Sequence, residues 1–231
     1  MNVAIVIAAG KGTRLGGDQP KQFLELRGVP IVIHTLRQFE RGAEINEIIV
    51  VVPAESTAAF SSLAEKFKVR KLARVVSGGA TRAQSVLCGL NAIANAEIVA
   101  VHDGVRPFVT PHEIDLVVAA ARAGGAAILV APVADTIKDI ENGRVKRTLP
   151  RHNLRRALTP QCFSYELLQR AYDQLDEIEA AGIEVTDDSL LVERLGAEII
   201  AVEGSARNIK ITRAEDLVLA EAILSSVVSG Q

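Results

Sequence analysis

The chain has 231 residues, 48% of them hydrophobic and 23% charged, enough to bury a sizeable core at a length that one α/β domain commonly fills. A formal net charge of -2 offers no basic excess for polymeric nucleic acid, and no apolar run approaches the roughly 18 residues that a membrane-spanning helix needs. The cysteines, Cys88 and Cys162, form no CxxC pair, so neither a zinc site nor a disulfide framework is suggested, and a soluble cytoplasmic protein is expected.

Apolar runs alternate with helical patterns up to about Val130, the signature of parallel βαβ units. Strands are predicted over residues 3–8, 45–52, 73–76, 98–101 and 126–130, with helices over 30–39, 56–67, 81–94 and 111–123 in intervals that suit right-handed crossovers. Thr81 and Gln84 have capping-box spacing and Val86, Leu90 and Ile93 repeat at i, i+4, i+7, so that helix should begin just after Gly78 and Gly79. Past Pro132 the rhythm changes. Residues 135–140 meet 144–149 across Asn142–Gly143, a strong hairpin signal, and imply an arm at about 132–152 inserted in a single domain of residues 1–231. Its strands are polar and cannot make a core alone, so it leans either on its own domain or on a second subunit. Helices are then predicted over 164–179 and 187–195 and short strands over 198–202 and 208–211. A last helix opens at a Thr212–Glu215 capping box and seats Leu217, Ala220 and Leu224 on the core.

Ligands bind open parallel sheets outside the carboxyl ends of the strands, and four segments with chemical potential fall there. The first follows the opening strand: Ala8, Ala9, Gly10, Lys11 and Gly12 can bring backbone N–H groups close to an anion, while Arg14 and Lys21 add fixed positive charge. This reads as a cradle for a nucleoside triphosphate, against the alternative of a purely structural glycine turn. A P-loop string is absent, Gly16 falls one place late for a dinucleotide fingerprint, and the next strand ends in Pro53 rather than a ribose-binding carboxylate. The second segment, residues 77–85, puts Arg82 and Ser85 in a first helical turn, able to meet a base or phosphate or else simply solvated. In the third, HisAspGlyValArgPro, Asp103 leaves an apolar strand where a metal-bound triphosphate would sit. One carboxylate suffices for Mg²⁺ when phosphate and water supply the other ligands, although a loop Asp also caps turns. The fourth, AsnIleLysIleThr, sets Lys210 opposite Ile209 and Ile211, to reach a phosphate or to remain a solvated lysine. No role follows for His34, His102, His112 or Cys162, and Asp187 and Asp188 read as caps of the helix after them.

Taken in order, AlaAlaGlyLysGlyThrArgLeu, ProLysGlnPhe, GlyGlyAlaThrArgAlaGlnSerVal, ValHisAspGlyValArgPro, AlaProValAlaAspThr, AlaLeuThrProGln and AsnIleLysIleThr closely resemble the 2-C-methyl-D-erythritol 4-phosphate cytidylyltransferase family, nearly end to end. The resemblance implies a Rossmann-like nucleotidyltransferase, with a mainly parallel sheet between helices and an inserted β-hairpin arm. It implies joining of CTP to the sugar-alcohol phosphate with release of pyrophosphate, and Mg²⁺ as cofactor, other divalent cations being able to replace it. By that likeness Arg14, Lys21 and Lys210 carry the reaction; Ala8 to Gly12, Gly79, Arg82 and Ser85 hold the nucleotide; Asp103 binds the metal. Arg106, Thr136, Arg151, Thr159 and Thr186 match positions around the acceptor, and the arm of such proteins crosses to a second subunit of a homodimer. Ala80, where relatives often carry an acidic residue, and Gly104, where alanine is common, depart from the pattern. A ribitol 5-phosphate cytidylyltransferase, or a non-catalytic nucleotide or sugar-phosphate sensor, would share the glycine loop and fold.

Overall fold

The computed structural model describes residues 1–10 and 21–228, the side chains of Lys21, Val227 and Val228 excepted. Arg14, Lys11 and Gly12, and the side chain of Lys21, therefore lie outside the described residues, although the Lys21 backbone opens a short 3-10 turn, Lys21–Phe23. In chain order the strands are β1 (Asn2–Ile7), β2 (Glu25–Leu26), β3 (Val29–Pro30), β4 (Glu47–Val52), β5 (Leu72–Ser77), β6 (Ile98–Asp103), β7 (Ala126–Pro132), β8 (Ile137–Glu141), β9 (Arg144–Leu149), β10 (Arg155–Ser164) and β11 (Ile200–Glu203). The helices are α1 (Ile31–Arg41), α2 (Thr57–Lys66), α3 (Arg82–Asn91), α4 (Pro111–Gly124), α5 (Tyr165–Tyr172), α6 (Leu175–Ala180), α7 (Asp188–Arg194) and α8 (Ala214–Val228). No helix among the described residues is long and apolar enough to cross a membrane.

Among the described residues seven strands form one sheet in the order β11-β7-β10-β6-β1-β4-β5. All neighbours are parallel except those of β10, which runs antiparallel to both β6 and β7. Side chains of the central strands alternate between two cores, as the period of two requires. Ala4, Val6, Ile48 and Val50 pack toward α1, α2 and α4, whereas Val3, Ile5, Ile49 and Val51 pack toward α3, α5 and α7. Both faces are buried, which is why these strands read as unbroken apolar runs. The register places Ile7 beside Asp103 and beside Val51, so three strand ends and the loops that leave them open at one edge of the sheet.

β10 escapes the sequence pattern for two physical reasons: it opens with Arg155 and Arg156, and Pro160 interrupts its apolar run. The ladder accommodates that proline through a register shift between Ala157 and Gln161. The expected strand at 208–211 does not form. Ile211 N–H bonds the Val105 carbonyl and Asn208 N–H bonds Ser205 in a turn, so the segment crosses the sheet edge without pairing along it. The single helix expected over 164–179 breaks into α5 and α6. Thr81 caps α3 by accepting from Gln84 N–H, but the Gln84 side chain returns to Ala80 N–H rather than to Thr81. At the start of α8 the acidic residue that reaches back is Asp216, whose carboxylate accepts from the N–H groups of Thr212 and Arg213, and not Glu215. β8 and β9 pair apart from the main sheet, joined by Asn142 and Gly143 with φ of 52° and 74°, the left-handed pair a tight hairpin turn needs.

Candidate functional site

Asp103 ends β6 with its carboxylate 8% exposed and faces three cations. Arg82 Nε donates to one oxygen at 3.2 Å; Arg106 Nε at 3.2 Å and Lys210 Nζ at 3.0 Å reach the other. Burial alone would raise the carboxyl pKa, but Arg82, Lys210 and Arg106 outweigh it and hold the group well below the usual carboxylate range. A carboxylate offers about four lone-pair sites, and the three cations leave room for one more ligand. A divalent cation fits as a monodentate guest of Asp103 if phosphate oxygens and water complete its shell. Among the described residues no group of three or more His, Cys, Asp or Glu side chains gathers to hold a metal by itself.

Each partner is fixed from behind. His102, fully buried, sets the loop that follows β6. The Arg106 carbonyl can only accept, so His102 Nε2 carries the proton that bonds it at 3.1 Å, and Nδ1 accepts from the Thr159 hydroxyl at 3.0 Å. The same hydroxyl accepts from Asp103 N–H at 3.2 Å, which leaves Thr159 occupied with the frame of the site. Arg106 also donates to the Asn208 carbonyl, and Asn208 donates to the Thr159 carbonyl, both at 2.9 Å. Glu113, at the start of α4, accepts from Ser205 N–H, and buried Ile211 packs with Leu26 and Val105. These anchors hold the irregular 204–211 segment so that Lys210 faces Asp103, a placement strand alternation had suggested for a different reason.

Burial lowers the His102 pKa to about 3 from 6.5, against the raising effect of its bond to Arg106 and of Asp103. Between those values the unfolded chain holds a proton that the folded chain lacks, so stability falls as pH drops from 6.5 toward 3, by up to about 1.4 kcal/mol per unit. His34, also lowered by burial, adds in the same direction. Urea unfolding from pH 4 to 7 should show stability rising with pH, and His102→Asn should remove most of that slope.

Two cavities meet at this cluster. One, of about 410 Å³, is lined by Ala8, Ala9, Gly10, Gly79 and Ser85. The other, of about 210 Å³, is lined by Arg106, Thr159, Thr186 and Asp187. Arg82, Asp103 and Lys210 border both. Gly78 packs against two residues that line the first cavity, and a Cβ on it would lie 2.6 Å from the Ala9 Cβ and 2.8 Å from the Ser85 hydroxyl. Gly78→Ala should therefore cost about 1–3 kcal/mol in thermal unfolding and push apart the loops lining the cavity. Gly104 permits a similar approach, its Cβ position being 3.0 Å from the Ile7 carbonyl oxygen.

The structure thus brings together the predicted Ala8, Ala9, Gly10, Gly79, Arg82, Ser85, Asp103, Arg106, Thr159, Thr186 and Lys210. Thr136 and Arg151 stand apart at the base of the β8–β9 hairpin, both exposed, with Arg151 donating to the Ala134 carbonyl. Asp187 does cap α7, accepting from Leu190 N–H, but Asp188 does not: it is fully buried and pairs with Arg82 Nη2 at 2.8 Å. Tyr172, which no motif singled out, and Gln161, which closes the AlaLeuThrProGln segment without a role assigned to it, hold Asp188 through a hydroxyl at 2.5 Å and a side-chain carbonyl at 2.9 Å.

The model of the family described as 2-C-methyl-D-erythritol 4-phosphate cytidylyltransferase matches residues 2–226. A relative of that name from Geobacillus kaustophilus is 44% identical over 223 residues, 96% of either chain. Among solved structures, 4-diphosphocytidyl-2C-methyl-D-erythritol synthase from Anaerococcus prevotii superposes with a TM-score of 0.85 at 33% identity, covering 97% of this chain and 96% of its own. The 2-C-methyl-D-erythritol 4-phosphate cytidylyltransferase of Thermus thermophilus does so with a TM-score of 0.77 at 35% identity, covering 96% and 98%.

Proposed function

Because this chain belongs to the 2-C-methyl-D-erythritol 4-phosphate cytidylyltransferase family, we propose that it transfers CMP from CTP to 2-C-methyl-D-erythritol 4-phosphate, releasing pyrophosphate, in non-mevalonate isoprenoid biosynthesis. The observation that carries the reading is the pair of cavities with Arg82, Asp103 and Lys210 as their common wall. A transfer between two phosphates needs two anion sites and shared cations where the reacting groups meet. The nucleotide occupies the larger cavity, its triphosphate against Ala8 to Gly10, with Arg14 and Lys21 as further charge; the acceptor phosphate occupies the smaller one beside Arg106.

An acceptor phosphate oxygen attacks the α-phosphorus, the new P–O bond forms, and the bond to the β-phosphate oxygen breaks, its electron pair leaving with pyrophosphate. A phosphomonoester has a second pKa of about 6 and is already a dianion at neutral pH, so no general base is required. Among the described residues His102, the histidine at the cluster, is neutral with both ring nitrogens engaged and so is not free to act as one. The work is electrostatic and positional. Lys210, Arg82 and Arg106 offset repulsion between the two anions and stabilise charge that builds at the α-phosphate. Asp103 would hold Mg²⁺, which supplies further neutralisation of the phosphates when bound. Exposed Thr136 and Arg151, outside both cavities, serve an acceptor bound by a second copy that the 132–152 arm reaches, which makes the working form a homodimer. CTP is a cytoplasmic metabolite, and the reaction is placed there.

Pyrophosphate release from CTP and Mg²⁺ tests the reading with three arms: methylerythritol 4-phosphate, ribitol 5-phosphate and no acceptor. Release that depends on the first supports it. Preference for ribitol phosphate would keep the chemistry and change the pathway, and CTP binding without release in any arm would favour a sensor.

A further inference from the structure

Asp188 has no place in the chemistry just described, yet it is a fully buried carboxylate and it shares Arg82 with Asp103. Arg82 is 21% exposed and lies between them, Nε toward Asp103 and Nη2 toward Asp188. Asp188 is held in turn by the Tyr172 hydroxyl on its second oxygen and by its own N–H on Gln161. Tyr172 belongs to the core packed by α5 and α7, so the chain of contacts from that core to the site is Tyr172, Asp188, Arg82, Asp103. A buried carboxylate with no ligand of its own and one arginine in common with a site residue acts through that arginine.

We propose that Asp188 is a positioning residue: it retains Arg82 so that Asp103 stays available to a divalent cation. The inference rests on the reading of Asp103 as the metal-binding carboxylate. Arg82 bonds one Asp103 oxygen while Arg106 and Lys210 take the other, so a guanidinium drawn further onto Asp103 occupies the one lone-pair site left for a divalent cation. Asp188 engages the far edge of the guanidinium and supplies its counter-charge, so that Arg82 is not left to Asp103 alone. It also balances the cluster, in which three cations, Arg82, Arg106 and Lys210, face two carboxylates. Without Asp188 the guanidinium turns wholly to Asp103, and the surplus positive charge repels an incoming cation. Both effects weaken the metal. The same surplus attracts a triphosphate, so nucleotide binding without metal is unchanged or tighter. General damage to the site would weaken both ligands, and that difference in sign is the signature of the role.

The test uses Mn²⁺ as the probe, followed by water-proton relaxation with CTP present and acceptor absent, and CTP binding in EDTA followed by calorimetry. Asp188→Asn should weaken Mn²⁺ about tenfold, the lower end of what outer-shell partners of metal ligands usually contribute, and leave metal-free CTP affinity equal or higher. Unchanged Mn²⁺ affinity overturns the inference, as does a parallel loss of Mn²⁺ and CTP. Should Asp188→Asn not fold, Arg82→Met and Arg82→Met/Asp188→Asn decide, since removing both members of a buried ion pair is often tolerated. Equal Mn²⁺ affinity in these two supports action through Arg82, and a further loss in the double variant overturns it. Wild-type protein that binds CTP but no Mn²⁺ would remove the metal reading of Asp103 and this inference with it, whereas wild-type binding with an unaltered Asp188→Asn removes the inference alone.

Discussion

Replacing Lys210 with alanine is expected to lower kcat about 10²-fold or more, the usual consequence of losing one charge partner of a transition state. The ammonium lies 3.0 Å from Asp103 at the junction of the two cavities, and it is the most exposed of the three cations, at 38%. Arg82 and Arg106 are tied to further protein groups, Asp188 and the Asn208 carbonyl, whereas Lys210 has Asp103 alone among the described ion pairs and is the one most readily transferred to a phosphate. Fold stability should change little, because Ile211 and Asn208 rather than the lysine side chain anchor the segment. Steady-state kinetics should show kcat falling more than the KM for CTP rises, as for an interaction strongest in the transition state. Wild-type turnover by a folded Lys210→Ala protein would refute the role, and the same expectation attaches to Lys21→Ala.

Asp103→Asn should lower turnover and fold stability while it tightens the binding of CTP without metal. Turnover should drop by about 10²–10³-fold, since the variant keeps the shape of the side chain and loses the charge that orders three cations and that, in the proposed reaction, would hold the metal. Fold stability should fall by about 3–5 kcal/mol, the range for removing one partner of a buried ion pair, read from urea unfolding. The binding of CTP in EDTA should become tighter, because Arg82, Arg106 and Lys210 then have a triphosphate as their best counter-ion. Weaker metal-free binding would mean that Asp103 supports the nucleotide site in some other way.

Much of this site was legible in one sequence because parallel strands that end together place loops from distant segments side by side. Asp103 and the 8–10 backbone could be placed from the apolar runs before them, and Arg82 from a capping pattern. The supports were less visible. β10 was hidden by Arg155, Arg156 and Pro160, each of which argues against a central strand, and only its two antiparallel neighbours make it one. Lys210 was placed by a strand that does not exist; tertiary bonds from Glu113, Arg106 and Val105 give an irregular segment the fixity that pairing would have given. Asp188 follows Asp187 in a helix-start pattern, and local chemistry cannot show that one of two adjacent carboxylates caps while the other is buried against an arginine over a hundred residues away in the chain.

β7 and β10 are adjacent antiparallel strands, with Pro132 opposite Arg155. Residues 133–154, including the whole β8–β9 hairpin, therefore leave the sheet and re-enter it at a single point. In topological terms they are an enlarged turn. Such a segment can be shortened, lengthened or exchanged between homologues without shifting the register of any strand in the main sheet, since its two ends stay one cross-strand pair apart whatever lies between them. Variation in this segment leaves the sheet edge that carries Asp103 in place, and a protein engineer can excise the β8–β9 hairpin to separate what the arm contributes from what that edge contributes.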